Sequence, residues 1–217
     1  MLALLLAATT AAPPYDQLRR SIEERRSAFQ ERYACADSAG QARMVDSARA
    51  YLFDRITLDI LPAWHGTRWD FNGTTRTPGQ GAIACGYFVN TVLQDAGFRL
   101  PRIKWSQMAS EPITVKTCHA IKRFRSRPVS EVEAYLREQG DGLYKVGLDN
   151  HVGFIVVRDG TARFVHSSYY HPGSGVMSEP LDGHNPLAHS RYRIVGKLLG
   201  DAMMRAWLSG MDLSGLR

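Results

Sequence analysis

Two short apolar segments joined by Asp159-Gly160 constrain the fold of this chain more than any other part of it. The segments, residues 152–157 and 162–168, are rich in β-branched and aromatic residues. Asp-Gly between two such segments is a strong signal for a β-hairpin with a tight turn. A turn centred on this dipeptide fixes the register and places His166 opposite Gly153. The pattern therefore predicts an antiparallel sheet that contains this hairpin.

Two histidines fall on one face of the predicted hairpin. His151 and Gly153 share that face because side chains alternate along a strand. His166 lies across from Gly153, so the two histidines are diagonal neighbours whose rings can meet in the room that the glycine leaves. Such a pair can supply a base, His151, and a partner that orients it, His166.

A candidate nucleophile, Cys85, stands where a glycine-rich loop turns into a helix. Apolar residues at helical spacing from 83 to 96 predict the helix, which Gly97 can end. A thiol in the first turn lies among unpaired N–H groups at the positive end of the helix dipole. We therefore expect a lowered pKa for Cys85, and its sulfur within about 4 Å of a ring nitrogen of His151. The alternative is a small, inert core residue.

These residues together resemble the NlpC-type papain-like cysteine peptidases, which are endopeptidases and amidases of bacterial cell walls. The resemblance rests on a cysteine at a helix start, on His-Val-Gly at 151–153 and on a polar residue in the next strand. It covers roughly residues 60 to 170. The Asp-Cys-Ser-Gly of that family is replaced by Ala-Cys-Gly-Tyr at 84–87, which leaves the substrate open.

The resemblance implies an α+β fold with a papain-like core, in which the nucleophile helix packs on an antiparallel sheet. It also implies acyl transfer by Cys85, His151 and His166, with no cofactor. The implied substrate is an amide in the peptide stem of peptidoglycan, or another peptide amide. Two other functions stay open: a cysteine-dependent acyltransferase on the same fold, and a non-catalytic cell-wall-binding module.

Aromatic and polar residues crowd the loop before the helix of the nucleophile. Trp64, Trp69, Phe71 and Asn72 all belong to this loop, which spans residues 62–82. Aromatic side chains at the entrance of an active site can line a groove for a sugar or a peptide. We therefore list these four as candidate substrate-binding residues, with simple coverage of the core as the alternative.

The 217-residue chain divides into three parts. Residues 1–12 are apolar, uncharged and end in small residues, which is typical of a secretory signal peptide. This segment predicts a secreted or periplasmic protein. The alternative is the apolar start of a cytosolic helix. Residues 13–61 predict a helical extension whose second helix ends at Pro62, and residues 62–217 a catalytic domain. No segment has the length and apolarity of a stable membrane span.

The chain is basic, with a formal net charge of +6, and its most basic stretch is residues 116–127. No nucleic-acid-binding motif accompanies this charge, so an anionic envelope polymer or a solvated face explains it better than a nucleic acid. We expect a helix over residues 112–124, and a helix, strands and a final helix after it.

Three cysteines and seven histidines show no metal-ligand spacing, so a metal site is the weakest functional hypothesis. In an oxidising compartment Cys35 and Cys118 can pair and leave Cys85 as the odd thiol. Two separate unpaired cysteines are an equally good interpretation.

Overall fold

A six-stranded antiparallel sheet forms the centre of the protein. The structure, a computed structural model, describes residues 15–216 of the chain. The strand order is β1-β6-β2-β3-β4-β5. The strands are His119–Arg125 (β1), Gly142–Leu148 (β2), Val152–Arg158 (β3), Thr161–Ser167 (β4), Val176–Glu179 (β5) and Tyr192–Lys197 (β6). The expected α+β class with an antiparallel sheet is confirmed. The predicted signal peptide lies outside the described residues.

Helices cover both faces of the sheet. They are Tyr15–Ala34 (α1), Ser38–Asp54 (α2), Leu61–Trp64 (α3), Cys85–Asp95 (α4), Arg102–Ser106 (α5), Ser110–Thr117 (α6), Val129–Gln139 (α7), Pro186–His189 (α8) and Asp201–Ser209 (α9). A π-helical segment, Arg55–Ile60, joins α2 to α3, and a 3₁₀ turn, Leu213–Gly215, follows α9. Within residues 15–216, every helix is too short or too polar to cross a bilayer.

The hairpin that the sequence predicts is formed by β3 and β4. Phe154 pairs with Val165, which brings Gly153 and His166 opposite each other as expected. Asp159 and Gly160 both have positive φ, at 52° and 71°, as a type I′ turn requires. The hairpin therefore fixes the positions of both candidate histidines.

Alternating side chains along the strands divide the apolar interior into two cores. Val152 and Phe154 point to one face, where they join a core with α1, α2, α4 and α9. Ile155 and Val157 point to the other face and pack with α7. The helical segment 15–64 thus shares one core with the helix of Cys85.

Two expectations about helices are wrong. The second helix does not end at Pro62: the chain continues through the π-helical segment into α3, in which Pro62 is the second residue. The helix expected over residues 112–124 ends at Thr117, because residues from His119 onward pair with β6 instead. This edge strand obtains its hydrogen bonds from the sheet, which local helical preference does not anticipate.

Candidate active site

Cys85 is the first residue of α4, and two neighbouring segments hold this helix start in place. Ala84 is extended, and its N–H donates to the carbonyl of Gly73 in the preceding loop at 2.8 Å. From the sheet, Ser167 Oγ donates to the carbonyl of Ile83 at 2.7 Å. The half-buried Cys85 is therefore fixed between the loop and the end of β4.

The sulfur of Cys85 lies beside the start of β3. Burial raises the pKa of the Cys85 thiol, and the backbone N–H groups of Val152, Gly86 and Cys85 itself lower it without reversing the shift. This direction is opposite to the one that the helix-start argument predicts, because loss of hydration outweighs the N–H groups. Val152 directly follows His151, so the thiol lies close to the backbone of His151. Tyr169 interacts with both Cys85 and His151, so its ring links the thiol to the imidazole.

The two histidines form the expected pair, and a carboxylate extends it. His151 Nε2 and His166 Nδ1 are 2.8 Å apart, and His166 Nε2 is 2.7 Å from Glu179 Oε1. Both rings are buried, at 4% and 0% exposure, and they meet edge to face. The prediction that His166 contacts one ring nitrogen of His151 is therefore confirmed.

The carboxylate determines which nitrogens carry protons along this chain. An ionised carboxylate only accepts hydrogen bonds, so His166 must donate its Nε2–H to Glu179. Neutral His166 then presents Nδ1 as an acceptor, and His151 donates its Nε2–H to it. This assignment leaves His151 Nδ1 with a free lone pair, which is the form that a general base needs.

The lone pair of His151 Nδ1 is buried and has no hydrogen-bond partner among residues 15–216, the thiol of Cys85 included. The expected thiol–imidazole hydrogen bond is thus not formed. Catalytic hydrogen bonds are often long without substrate and tighten in the complex, so a closer approach of the sulfur stays a prediction.

Burial keeps both imidazoles neutral. It lowers the pKa of His151 well below the usual range, and the neighbouring His166 lowers it further. Burial also lowers the pKa of His166, although the hydrogen bond that His166 donates to Glu179 opposes the shift. A thiol with a raised pKa beside imidazoles with lowered pKa values rests as a neutral pair and not as thiolate and imidazolium.

Glu179 is a site residue that the sequence pattern does not predict. In the register of β4 and β5, Phe164 pairs with Glu179 and His166 with Met177. Glu179 is therefore a diagonal neighbour of His166 on the same face. The only sequence signal is a lone acid in a short apolar stretch after a loop rich in glycine and histidine, and it does not reveal which strand it joins.

Tyr169 is a second missed residue, and it carries the aromatic contact to the site. Its ring centroid lies 5.3 Å from that of His151 and 6.0 Å from that of Trp69. Its hydroxyl donates to Asn150 Oδ1 at 3.3 Å. Trp69, one of the four predicted groove residues, thus reaches the site through Tyr169.

The other three predicted groove residues behave differently. Trp64 is fully buried in the core, where it packs on Phe88 and donates from Nε1 to Tyr15 Oη at 2.8 Å. Its assignment to substrate binding is wrong, because α3 turns it inward. Phe71, at 78% exposure, and Asn72 are exposed in the loop that flanks the start of α4.

The remaining cysteines are not bridged. Cys35 is exposed after α1, Cys118 packs at the end of α6, and all three cysteines are free thiols. The predicted Cys35–Cys118 disulfide is therefore not formed, and the interpretation as separate cysteines holds. Burial raises the pKa of Cys118 to about 11. Among the residues that the structure describes, no group of His, Cys, Asp and Glu is arranged to hold a metal ion.

The fold and the site define an α+β protein with a helix-start thiol at the first residue of β3 and a buried relay of hydrogen bonds from His151 through His166 to Glu179 that begins one residue earlier. Comparisons of the chain with protein-family models, with curated proteins and with solved structures find no match. The functional argument therefore depends on the site itself.

Proposed function

We propose that this protein is a cysteine hydrolase of papain-like architecture that cleaves an amide bond, with the peptide stem of bacterial peptidoglycan as its substrate. The observation that carries the proposal is the buried His151 Nδ1 without a hydrogen-bond partner, one residue before Val152, whose N–H bonds to the helix-start thiol of Cys85. The choice of peptidoglycan, and of a secreted or periplasmic location, depends on the NlpC-type resemblance and the apolar N-terminus.

The first step transfers a proton and forms a bond together. As Cys85 Sγ attacks the carbonyl carbon of the amide, His151 Nδ1 accepts the thiol proton and becomes an imidazolium. The first-turn N–H of Cys85 is suited to stabilise the oxyanion. His166 and Glu179 hold the ring of His151 and offset its new positive charge.

The second step releases the amine and then regenerates the thiol. The imidazolium returns its proton to the leaving nitrogen as the C–N bond breaks, which leaves a thioester on Cys85. Water then attacks the thioester with His151 as the base, and the acid product leaves. In the acyltransferase alternative, an amine or hydroxyl acceptor replaces water in this step.

Digestion of purified peptidoglycan, followed by mass analysis of the fragments, tests the proposal. We expect new fragments from the wild-type protein, and none from Cys85→Ser or His151→Ala. Cys35→Ser and His189→Ala are matched controls, because both alter exposed residues outside the relay. A fragment mass that includes an added amine acceptor supports the acyltransferase. Intact peptidoglycan from a folded wild-type protein argues against the proposal and favours the binding module.

A further inference from the structure

A second feature of the molecule, a cationic groove, lies along α4 and α5. The groove has a volume of about 930 Å³ and is open to solvent. Its walls include Arg76, Arg102 and Lys104 together with the apolar side chains of Ile103 and Met108. In the described part of the chain, no carboxylate lines it.

Arg102 gives the groove a fixed and buried positive charge. The residue is 8% exposed, and its guanidinium lies 4.9 Å from the centroid of the Tyr87 ring. Nε donates to Thr91 Oγ1 at 2.7 Å, and Nη2 donates to the carbonyls of Thr74 and Thr75 at 3.0 Å each. All of these acceptors are neutral. Asp95 attracts Arg102 without forming a hydrogen bond to it among residues 15–216.

Nearby acids are engaged elsewhere. Asp95 accepts from Arg19 Nε at 2.9 Å and from Tyr15 Oη at 2.7 Å. Together with Asp16 and Glu23, it lines a neighbouring cavity of about 330 Å³, which shares Gln94 with the groove. Asp95 offsets part of the charge of Arg76 and Arg102 from a distance. The residues that line the groove still include three cationic side chains and no acid, so the groove favours an anionic ligand.

The groove adjoins the turn of α4 that carries the nucleophile. Tyr87 follows Cys85 by two positions, and Gln107 Nε2 donates to its hydroxyl at 3.3 Å. On the same side, Ser106 Oγ donates to the carbonyl of Gly86 at 3.2 Å. A ligand in the groove would thus lie next to the start of the catalytic helix.

We propose that this groove binds the carboxylate of an acidic peptide. A planar guanidinium matches a carboxylate, and the exposed Ile103 and Met108 match the apolar parts of a peptide better than they match a phosphate polymer. Gln94 Oε1, which is buried at the groove without a partner among the described residues, is available to accept from a peptide N–H. Only the identification of this peptide as the substrate depends on the proposed function; the binding site itself does not.

Binding of a short peptide tests the site without any reaction. The probe is N-acetyl-Ala-Glu-amide, titrated into Cys85→Ala protein by NMR, with N-acetyl-Ala-Gln-amide as its uncharged match and inorganic phosphate as a separate arm. We expect the Glu peptide to shift the amide signals of Thr75, Tyr87 and Ile103, and high salt to weaken it. The Gln peptide should bind several-fold more weakly.

The variants Arg76→Gln and Lys104→Gln probe the charge without disturbing the bonds that Arg102 makes. Both residues are exposed, and each change should weaken the Glu peptide by roughly three- to tenfold. Arg137→Gln, an exposed arginine on α7, is the matched control and should change nothing.

Equal binding of the two peptides, or unchanged affinity in both groove variants, would overturn the proposal. Tighter binding of phosphate than of the Glu peptide would also overturn it, in favour of a phosphate ligand. Failure of peptidoglycan cleavage with intact peptide binding would count against the hydrolase and not against this site.

Discussion

Replacement of Glu179 by glutamine tests whether the relay sets the basicity of His151. The substitution keeps the shape of the side chain but removes the charge that faces His166 Nε2 at 2.7 Å. A glutamine can also turn its NH₂ group toward His166. The ring would then donate from Nδ1 to His151, which would have to carry its own proton on the Nδ1 that serves as the base.

The loss of charge alone has a calculable effect. The two hydrogen bonds and the width of the His166 ring place Glu179 Oε1 on the order of 9 Å from the centre of the His151 ring. At an effective dielectric constant of about 20, Coulomb's law then gives an attraction of roughly 1.8 kcal/mol between the carboxylate and a protonated His151. This energy corresponds to about a 20-fold lower rate of any step that forms the imidazolium. Inversion of the tautomer would add the loss of general-base catalysis, typically 10²- to 10⁴-fold.

Alkylation of Cys85 by iodoacetamide measures this effect without a known substrate. Near pH 7 the reactive thiolate forms by transfer of its proton to His151, so Glu179→Gln should slow alkylation by at least about 20-fold. At strongly alkaline pH hydroxide removes the proton directly, and the two proteins should converge. Glu24→Gln, an exposed acid on α1, is the control. A change of less than about threefold near pH 7, or an equal loss at every pH, would refute the role of the relay.

Two further predictions concern stability. Burial lowers the pKa values of His151 and His166, so the unfolded chain takes up protons before the folded one as the pH falls below about 6.5. The free energy of unfolding should therefore decrease toward acid pH. Urea denaturation at several pH values should show a weaker pH dependence of this free energy in His151→Gln than in the wild type. Burial also lowers the pKa of Lys145 to about 8, so its charge opposes folding near neutral pH, and Lys145→Met should raise the free energy of unfolding at about pH 7 by roughly 1–3 kcal/mol. Lower stability of that variant would show that the ammonium is well solvated in the fold.

The sequence predicts the hairpin well because the information is local. Asp159 and Gly160 adopt the positive φ values that their residue types favour, and the turn then sets the register of β3 and β4. The contact between His151 and His166 follows from that register alone. The start of α4 at Cys85 is equally local, since a glycine-rich loop precedes a regular apolar spacing.

The missing parts of the site depend on contacts between distant segments. Glu179 joins the relay only because β5 adds to the sheet beside β4, and Tyr169 contacts His151 because the chain turns back after β4. The sequence predicts a loop at Trp64, yet the π-helical segment extends the helix past Pro62 and turns the Trp64 ring into the core. The pKa of Cys85 is misjudged because a helix start reveals the dipole but not the burial around it.

The energetics of the relay favour an enzyme over a module that only binds. A buried set of His151, His166 and Glu179 is less stable than apolar residues of similar volume, because each polar group loses its hydration. Gly153 is kept free of a side chain at this point: a Cβ there would lie 2.9 Å from His166 Cβ and 2.6 Å from the Phe164 ring. His151 Nδ1, the acceptor at the end of this relay, still has no hydrogen-bond partner among the described residues. A binding module would gain stability by pairing or removing that nitrogen, whereas the proposed general base must keep it free to accept a proton.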